Sequence, residues 1–529
     1  MLANFYDLSK LQIFLSTLLI SNPRKLGLDP TFLSATLWHN KPLESISLRQ
    51  LSLAPSWKER LRDHNMFFSF IEQVPVVAMT TTGAGMRALT ALYGTLWGLQ
   101  RTKLLDCISY ITGSSGTTWT MTKLYEDSNW SNKDLGEIIL QARKQAAKSK
   151  REAFSLQNLK SYHKELAQRT IAGYKSSFID LWGLMIEAML NNANNHHKLS
   201  EQRRAVNKGQ NPLPIYLALN VKDNITTKDF REWLEFTPYE VGFPKYGAFV
   251  PAEDFGSEFY MGHMMKKLPE SRICFMQGDF FSTSRRKSVG WDFPLLNIPV
   301  VSMGFSQELD SLCSRIFTVS KYNNFLKGLQ MHNEYVQHQQ FTKWKDTMLD
   351  ESPNQLKDST DHLELVDTAF FFDTSCPPLL RPERKVDVIL FDPPLEHAST
   401  YFSAQGIPFP KIVLSEEEKK NLKECYVFED TNNPEAPILL YFPLVNDTFQ
   451  RYIAPGIERN AAQLPQGNVD VSSAFSPYST RQVSLQEEEF NKLLNLTNYN
   501  VQNNANTILR VLHKVVEQKK QAQLSQSSS

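Results

Sequence analysis

A chain of 529 residues with 41% hydrophobic and 21% charged side chains can bury a large core and lacks the bias of a disordered or fibrous sequence. Lysine and arginine number 57 against 56 aspartate and glutamate, a net charge of +1. That balance excludes nucleic acid as the main partner and leaves any attraction to a membrane to local patches.

Residues 1–70 form a leader of mixed character. Its apolar stretch, residues 11–20, is shorter than the ~20 residues that span a bilayer. Asp7 precedes the stretch and no clear small-residue cleavage site follows, so it reads as a packed or membrane-touching helix rather than a secretory signal. From Val74 the pattern alternates strand and helix. Residues 76–79 read as a buried strand. Residues 86–100 read as a helix, with Leu89, Leu92, Leu96 and Leu99 at helical spacing. Residues 108–112 read as the next strand and 117–125 as the next helix. This is the grammar of a mostly parallel sheet covered by helices.

Helical tracts are expected at 134–170, 178–190 and 321–345, and further strands at 215–221, 363–366, 386–391 and 438–442. Residues 276–316 mix charges with aromatics and read as a mobile lid or a disordered loop. An amphipathic helix is expected at 507–520, with Ile508, Leu512, Val515 and Val516 on one stripe. The polar residues 521–529 read as a disordered tail. Cys107, Cys274, Cys313, Cys376 and Cys425 are odd in number, widely spaced and free of CxxC pairs, and read as reduced thiols of a cytosolic chain.

Two short strings carry the chemistry. Ser115 sits in Gly113-Ser114-Ser115-Gly116-Thr117, between a strand-like run and a helix-like run. A serine at such a turn can present its hydroxyl as a nucleophile. About thirty residues upstream, Thr82-Gly83-Ala84-Gly85-Met86-Arg87 follows the preceding strand. A glycine-rich turn can aim backbone N–H groups at an oxyanion. One βα unit separates the two, so adjacent strands would bring them together. The pairing points to acyl transfer from an ester.

A serine hydroxyl needs a base. Asp367 ends the apolar run Leu363-Glu364-Leu365-Val366 and precedes Thr368 and Ala369. Burial there would raise its pKa and make it a better base. The competing reading is an aspartate that merely caps the next turn. A third design completes a Ser-Asp-His set with His397, in the chain order Ser115, Asp367, His397 of the α/β-hydrolases. His362 is the other histidine near Asp367 in sequence. No histidine has metal-ligand spacing.

At these residues the chain resembles the catalytic domain of the cytosolic group IV phospholipases A2. Gly113 to Trp119 matches the G-x-S-G-S/T-x-W nucleophile motif, and Gly83 to Arg87 matches G-G-G-x-R except at Ala84. Similarity runs over 71–520. It includes Asn211-Pro212-Leu213-Pro214, Glu235-Phe236-Thr237-Pro238-Tyr239-Glu240, Phe255-Gly256-Ser257-Glu258-Phe259, Leu380-Arg381-Pro382-Glu383-Arg384 and Ala454-Pro455-Gly456. Thr80 to Thr82 and Asp367-Thr368-Ala369 resemble the epsilon-like branch most.

The resemblance implies a patatin-like α/β fold, with a mostly parallel central sheet, flanking helices and a cap or lid at 276–316. It implies a dyad of Ser115 and Asp367 without histidine, an oxyanion hole at Gly83, Ala84 and Gly85, and phosphate-binding roles for Arg87 and Arg384. Hydrolysis of a glycerophospholipid acyl ester would give fatty acid and lysophospholipid. Transfer of the same acyl group to an amine is the alternative, as is a catalytically weak lipid-binding form. In the family calcium acts through a C2 domain. About seventy residues precede the first strand here, too few for that domain, so no built-in calcium site and no other cofactor is expected.

Membrane contact is then expected from other surfaces, with a cytoplasmic, peripherally membrane-bound protein as the result. Candidates are Arg143, Lys144, Lys148, Lys150 and Arg151 on one helix, Ser284-Arg285-Arg286-Lys287, and Lys519-Lys520. Met261, Met264 and Met265 around His263 would line an acyl channel or fill the core. Nothing in the sequence indicates a protein partner.

Overall fold

The computed structural model of the chain describes residues 74–190, 196–222, 230–279, 319–329, 334, 337, 339–344, 360–391 and 395–527, apart from single positions 84, 372, 474, 475, 480, 481 and 483. The expected leader at 1–70, the basic string at 284–287 and nearly all of the expected lid lie outside these residues.

The first strand, β1 (Val77–Thr81), is buried at every position. An apolar and β-branched run without alternation is what a strand covered on both faces requires. Gly83 and Gly85, with φ of 111° and 62°, turn the chain into helix α1 (Gly85–Arg101). β2 (Ile108–Gly113), again wholly buried, leads through a second tight turn into α2 (Thr117–Leu124). Helices α3 (Leu135–Ala147), α4 (Leu156–Ile171) and α5 (Phe178–Leu190) follow. The chain then returns through β3 (Leu213–Val221), β4 (Glu232–Phe236), β5 (Glu240–Phe243) and β6 (Ala248–Pro251). A separate hairpin, β7 (Glu258–Tyr260) and β8 (His263–Lys266), precedes the short α6 (Ile273–Asp279). Then come β9 (Ser320–Asn323), β10 (His362–Val366), β11 (Val388–Phe391) and α7 (Leu395–Ala404). β12 (Tyr426–Phe428), β13 (Ile438–Tyr441), α8 (Glu487–Asn503) and α9 (Ala505–Ser527) complete the main elements.

Eleven strands form one sheet in the order β12-β13-β11-β1-β2-β3-β4-β5-β6, with β10 against β3 and β9 against β10. The five strands from β13 to β3 are parallel, and every pairing outside them is antiparallel. The expected α/β architecture is present, with its parallel character confined to the centre.

Register brings the two glycine turns together. Thr81 pairs with Gly113, so β1 and β2 end side by side. β3 extends beyond β2. Gly113 pairs with Tyr216, while β10 enters antiparallel on the remainder of β3 and ends with Val366 opposite Leu219. β4 already covers the other edge of β3 from Tyr216 to Asn220. β2 and β10 therefore run head-on along one edge of β3 and stop two residues apart, at Leu217 and Ala218.

Helix α1 is fixed from outside by α8. Gly94 and Gly98, four residues apart on one face, leave no room for side chains: a Cβ at Gly94 would lie 2.3 Å from Leu494 O, and one at Gly98 2.9 Å from Asn498 O. The Thr497 hydroxyl donates to Ala91 O at 3.1 Å across this crossing. The contact anchors the helix whose first residue is Gly85.

Three expectations change. The tract at 134–170 is two α-helices split at Lys148, which takes an extended ψ of 146°, and α4 begins on a Ser155 cap. The tract at 321–345 begins as strand β9 rather than helix, because Ser320–Asn323 alternates buried and half-buried positions. Gln521 to Ser527 continues α9, since glutamine, alanine and leucine suit a helix. The four described cysteines, Cys107, Cys274, Cys376 and Cys425, are free thiols.

Candidate active site

Gly113 ends β2 packed against Met121, where a Cβ would lie 2.2 Å from the Met121 Sδ. Ser115 follows with φ of 53°, in the left-handed region. That conformation costs an L-residue about 1–2 kcal/mol. Its surroundings hold it there. The Thr117 hydroxyl donates to Ser114 O at 2.7 Å, and the Thr118 hydroxyl to Ser115 O at 2.7 Å. The Thr118 amide donates to the same oxygen at 3.1 Å, and the Gly116 amide to Gly83 O at 2.8 Å. This is a strained strand-to-helix elbow carrying a serine, with the residue only 2% exposed.

The glycine turn is pressed against the elbow. A Cβ on Gly116 would sit 2.4 Å from Gly85 N, 2.7 Å from Gly85 O and 2.9 Å from Gly83 O. At Gly116 the two turns therefore touch backbone to backbone. Helices α1 and α2 both begin at this junction. Their first N–H groups lack intrahelical acceptors, and their positive ends favour a developing negative charge.

Of the expected oxyanion donors, Gly83 has its N–H near the Asp373 carboxylate, and its C=O accepts from Gly116, so its backbone joins parts of the site together. Gly85 N lies against Gly116. Ala84 lies outside the described residues.

Asp367 stands immediately beyond Val366 at the end of β10, across the two-residue gap from the elbow. The capping reading is present: Oδ1 accepts from the Ala369 amide at 3.0 Å and caps a short turn. The Ser115 hydroxyl is close enough to act on the same carboxyl. Burial, together with the nearby Asp373 charge, raises the pKa of Asp367 well above the usual carboxylate range; the polar contacts of Ala369 and Ser115 oppose this only in part.

Two neighbours, Ser375 and Asp373, carried no sequence signal. Ser375, fully buried, accepts from Thr81 N at 3.2 Å, donates to Thr81 O at 2.8 Å and meets the Thr112 hydroxyl at 2.8 Å, tying the ends of β1 and β2 together. Asp373 accepts from the Thr82 hydroxyl, and Thr82 Oγ1 lies 3.0 Å from Ser114 Oγ. Only contact across 291 residues of chain reveals Asp373, which no motif or spacing marks.

Arg87 is half-buried on the first turn of α1, and its charge acts on Asp373. Arg384 corrects an expectation. It is buried against Glu235, with Nη1 2.9 Å from Oε2 and Nη2 2.9 Å from Oε1, and Nη1 also donates to Pro378 O at 2.5 Å. Arg381 shares the same glutamate. Arg384 is thus committed to a buried ion cluster under the sheet, which removes it as a phosphate ligand.

The histidine alternative also loses its footing. His362 begins the strand that Asp367 follows, about 16 Å away at ~3.3 Å per residue, and His397 is exposed on α7. Neither is among the charges that act on Asp367. Met261 and Met265 are exposed on the β7–β8 hairpin and Met264 is half-buried there, so they do not form a channel wall. The expected basic face at 143–151 is interrupted. Lys150 is buried, donates to Gln145 O and Met189 O, and its pKa is pushed down to about 8 by burial. Arg143 pairs with Glu487. A cleft of about 440 Å³ bounded by Lys164, Arg169 and Arg272 shares no residue with the Ser115 site. Among the described residues no group of three or more His, Cys, Asp or Glu side chains could hold a metal, and no helix is long and apolar enough to cross a membrane.

A parallel-centred α/β sheet with a serine on a strained elbow beside a glycine turn defines the patatin-like class of serine hydrolase folds. Residues 77–399 match the family described as the lysophospholipase catalytic domain. Human cytosolic phospholipase A2 epsilon is 44% identical over 522 residues, covering 90% of this chain and 60% of that protein. Human cytosolic phospholipase A2 beta is 44% identical over 486 residues, covering 85% and 62%. The solved structure of human GIVD cytosolic phospholipase A2 superposes with a TM-score of 0.83 at 40% identity, covering 90% of this chain and 67% of that one. Its complex with methyl gamma-linolenyl fluorophosphonate gives 0.74 at 39% identity, covering 90% and 64%. This chain belongs to the cytosolic phospholipase A2 family. It spans about 60% of the length of the curated relatives it matches.

Proposed function

We propose that the chain is a serine acyl hydrolase of the phospholipase A2 type, cleaving a fatty acyl ester of a glycerophospholipid. The observation that carries this reading is the placement of the elbow serine, Ser115, and the buried Asp367 at two strand ends that meet head-on along β3, close enough that the Ser115 hydroxyl acts on the Asp367 carboxyl. Ser115 Oγ attacks the ester carbonyl while its proton passes to the Asp367 carboxylate. The oxyanion forms beside the Ala84 and Gly85 amides, where a lost donor costs ~3–4 kcal/mol. Asp367 returns the proton to the departing lysophospholipid oxygen, leaving the acyl group on Ser115. Water, deprotonated by Asp367, then attacks the acyl-enzyme. Fatty acid leaves and Ser115 recovers its proton. Arg87, half-buried on the first turn of α1, holds the lipid phosphate through charge-assisted hydrogen bonds. We propose further that the enzyme works at a phospholipid membrane surface, peripherally bound in the cytoplasm.

The same acyl-enzyme transfers its acyl group to an amine when an amine displaces water. One experiment separates the outcomes: mass spectrometry of products from phosphatidylcholine vesicles, with and without phosphatidylethanolamine. Hydrolysis gives fatty acid and lysophosphatidylcholine in equal amounts. An N-acylated phosphatidylethanolamine identifies transfer. Folded protein that forms none of these products contradicts the proposal and leaves a lipid-binding form.

A further inference from the structure

Asp373 lies at the centre of the contacts that hold the two turns together. Its carboxylate accepts from the Thr82 hydroxyl and lies near the Gly83 amide, the two residues that open the glycine turn. With the Thr82 proton given to Asp373, Thr82 Oγ1 is left to accept from Ser114 Oγ at 3.0 Å. Ser114 is the fully buried residue before the nucleophile. A chain of hydrogen bonds thus runs from the elbow to the glycine turn and ends on Asp373. Gly83, with its N–H near Asp373, accepts at its C=O from the Gly116 amide on the far side of Ser115. Two charged groups act around this carboxylate: Arg87 from the first turn of α1, and Asp367 from the end of β10.

We propose that Asp373 is a positioning residue of the acyl-transfer site, fixing the glycine turn against the Ser115 elbow and setting its negative charge beside Asp367. This inference rests on the Ser115–Asp367 reading above. Two consequences separate it from a merely structural carboxylate. Loss of the acceptor loosens the turn that faces the oxyanion, and displacement of a site by about 1 Å costs up to about a hundredfold in rate. Loss of the charge alone makes Asp367 easier to ionise, because a like charge disfavours a second one nearby. Arg87, released from its partner, acts on Asp367 in the same direction.

The test measures kcat and KM against pH for Asp373→Asn and Asp373→Ala, together with the rate of Ser115 labelling by a fluorophosphonate. Asparagine keeps an acceptor for Thr82 and Gly83 but not the charge. It is expected to retain most of kcat and to move the acid limb of the profile down by about one pH unit or more. Alanine is expected to lose ten- to a hundredfold in kcat and in labelling rate, with KM unchanged. Should the alanine variant fail to fold, the acid limb of Asp373→Asn decides. An unmoved limb in the asparagine variant, or wild-type kcat in the alanine variant, overturns the inference. Ser115→Ala serves as the control for the underlying reading. If it still labels and hydrolyses, the dyad has failed. If it is inert while the Asp373 variants match wild type, only the role of Asp373 has.

Discussion

Ser115 and Asp367 lie just past the ends of two strands that meet head-on along one edge of β3, with Gly113 opposite Tyr216 and Val366 opposite Leu219. Residues 252 positions apart in sequence are thereby brought together by strand register, and the serine hydroxyl acts on the carboxyl. The remaining contacts of the site follow from that geometry.

The raised pKa of Asp367 makes activity and stability depend on pH in opposite senses. A base must be ionised, so the acid limb of kcat/KM is expected above the usual carboxylate range. Below the unfolded value of ~3.9 the group is protonated in both states. As pH rises past that value the unfolded chain ionises first, so stability falls until pH passes the folded pKa of Asp367, and the full penalty remains above it. Asp367→Asn keeps the Ala369 cap and removes the cost. Calorimetry at pH 8 is expected to show a higher Tm than wild type, while activity falls about a thousandfold. A lower Tm contradicts the account.

The elbow conformation yields a second expectation. At φ of 53° glycine is relieved of strain that alanine keeps. After allowance for the freer unfolded chain, Ser115→Gly is expected to be more stable than Ser115→Ala by about 0.5–1 kcal/mol. Urea denaturation of the two inactive proteins reads the difference directly, and equal midpoints contradict a strained elbow.

Gly116→Ala places a methyl group 2.4 Å from Gly85 N, where only backbone can yield. The turns must separate. A loss of ten- to a hundredfold in kcat is expected, with about 1–3 kcal/mol of stability. Wild-type kinetics in this variant contradict the close approach of the two turns.

Arg384→Ala separates a structural role from phosphate binding. Glu235, whose side chain is 1% exposed, would keep only Arg381, and breaking a buried ion pair costs ~3–5 kcal/mol. The Tm is expected to drop sharply, while KM for phospholipid in the remaining folded protein stays as in wild type. A raised KM with an unchanged Tm would restore the phosphate assignment.

Much of this was legible beforehand because local patterns determined it. Buried apolar runs marked β1, β2, β3 and β13, and the glycines at 83, 85 and 116 marked turns that need a positive φ or a close backbone approach. Ser115 and Asp367 stood out because each ends an apolar run. Asp373 and Ser375 stood in a loop without periodicity, and only the fold brings them to the strand ends. Arg384 misled for a related reason. Sequence shows a basic residue near a site, but not the glutamate on β4 that takes its charge. β9 was missed because four residues are too few to separate a period of two from 3.6.

The most direct measurement is peptide mass spectrometry after treatment with a fluorophosphonate, alongside Ser115→Ala and Asp367→Asn. One adduct on the peptide containing Ser115, absent from the first variant and formed far more slowly in the second, is the predicted result. An unmodified Ser115 in folded wild-type protein, or equal labelling in Asp367→Asn, would contradict a serine activated by that aspartate.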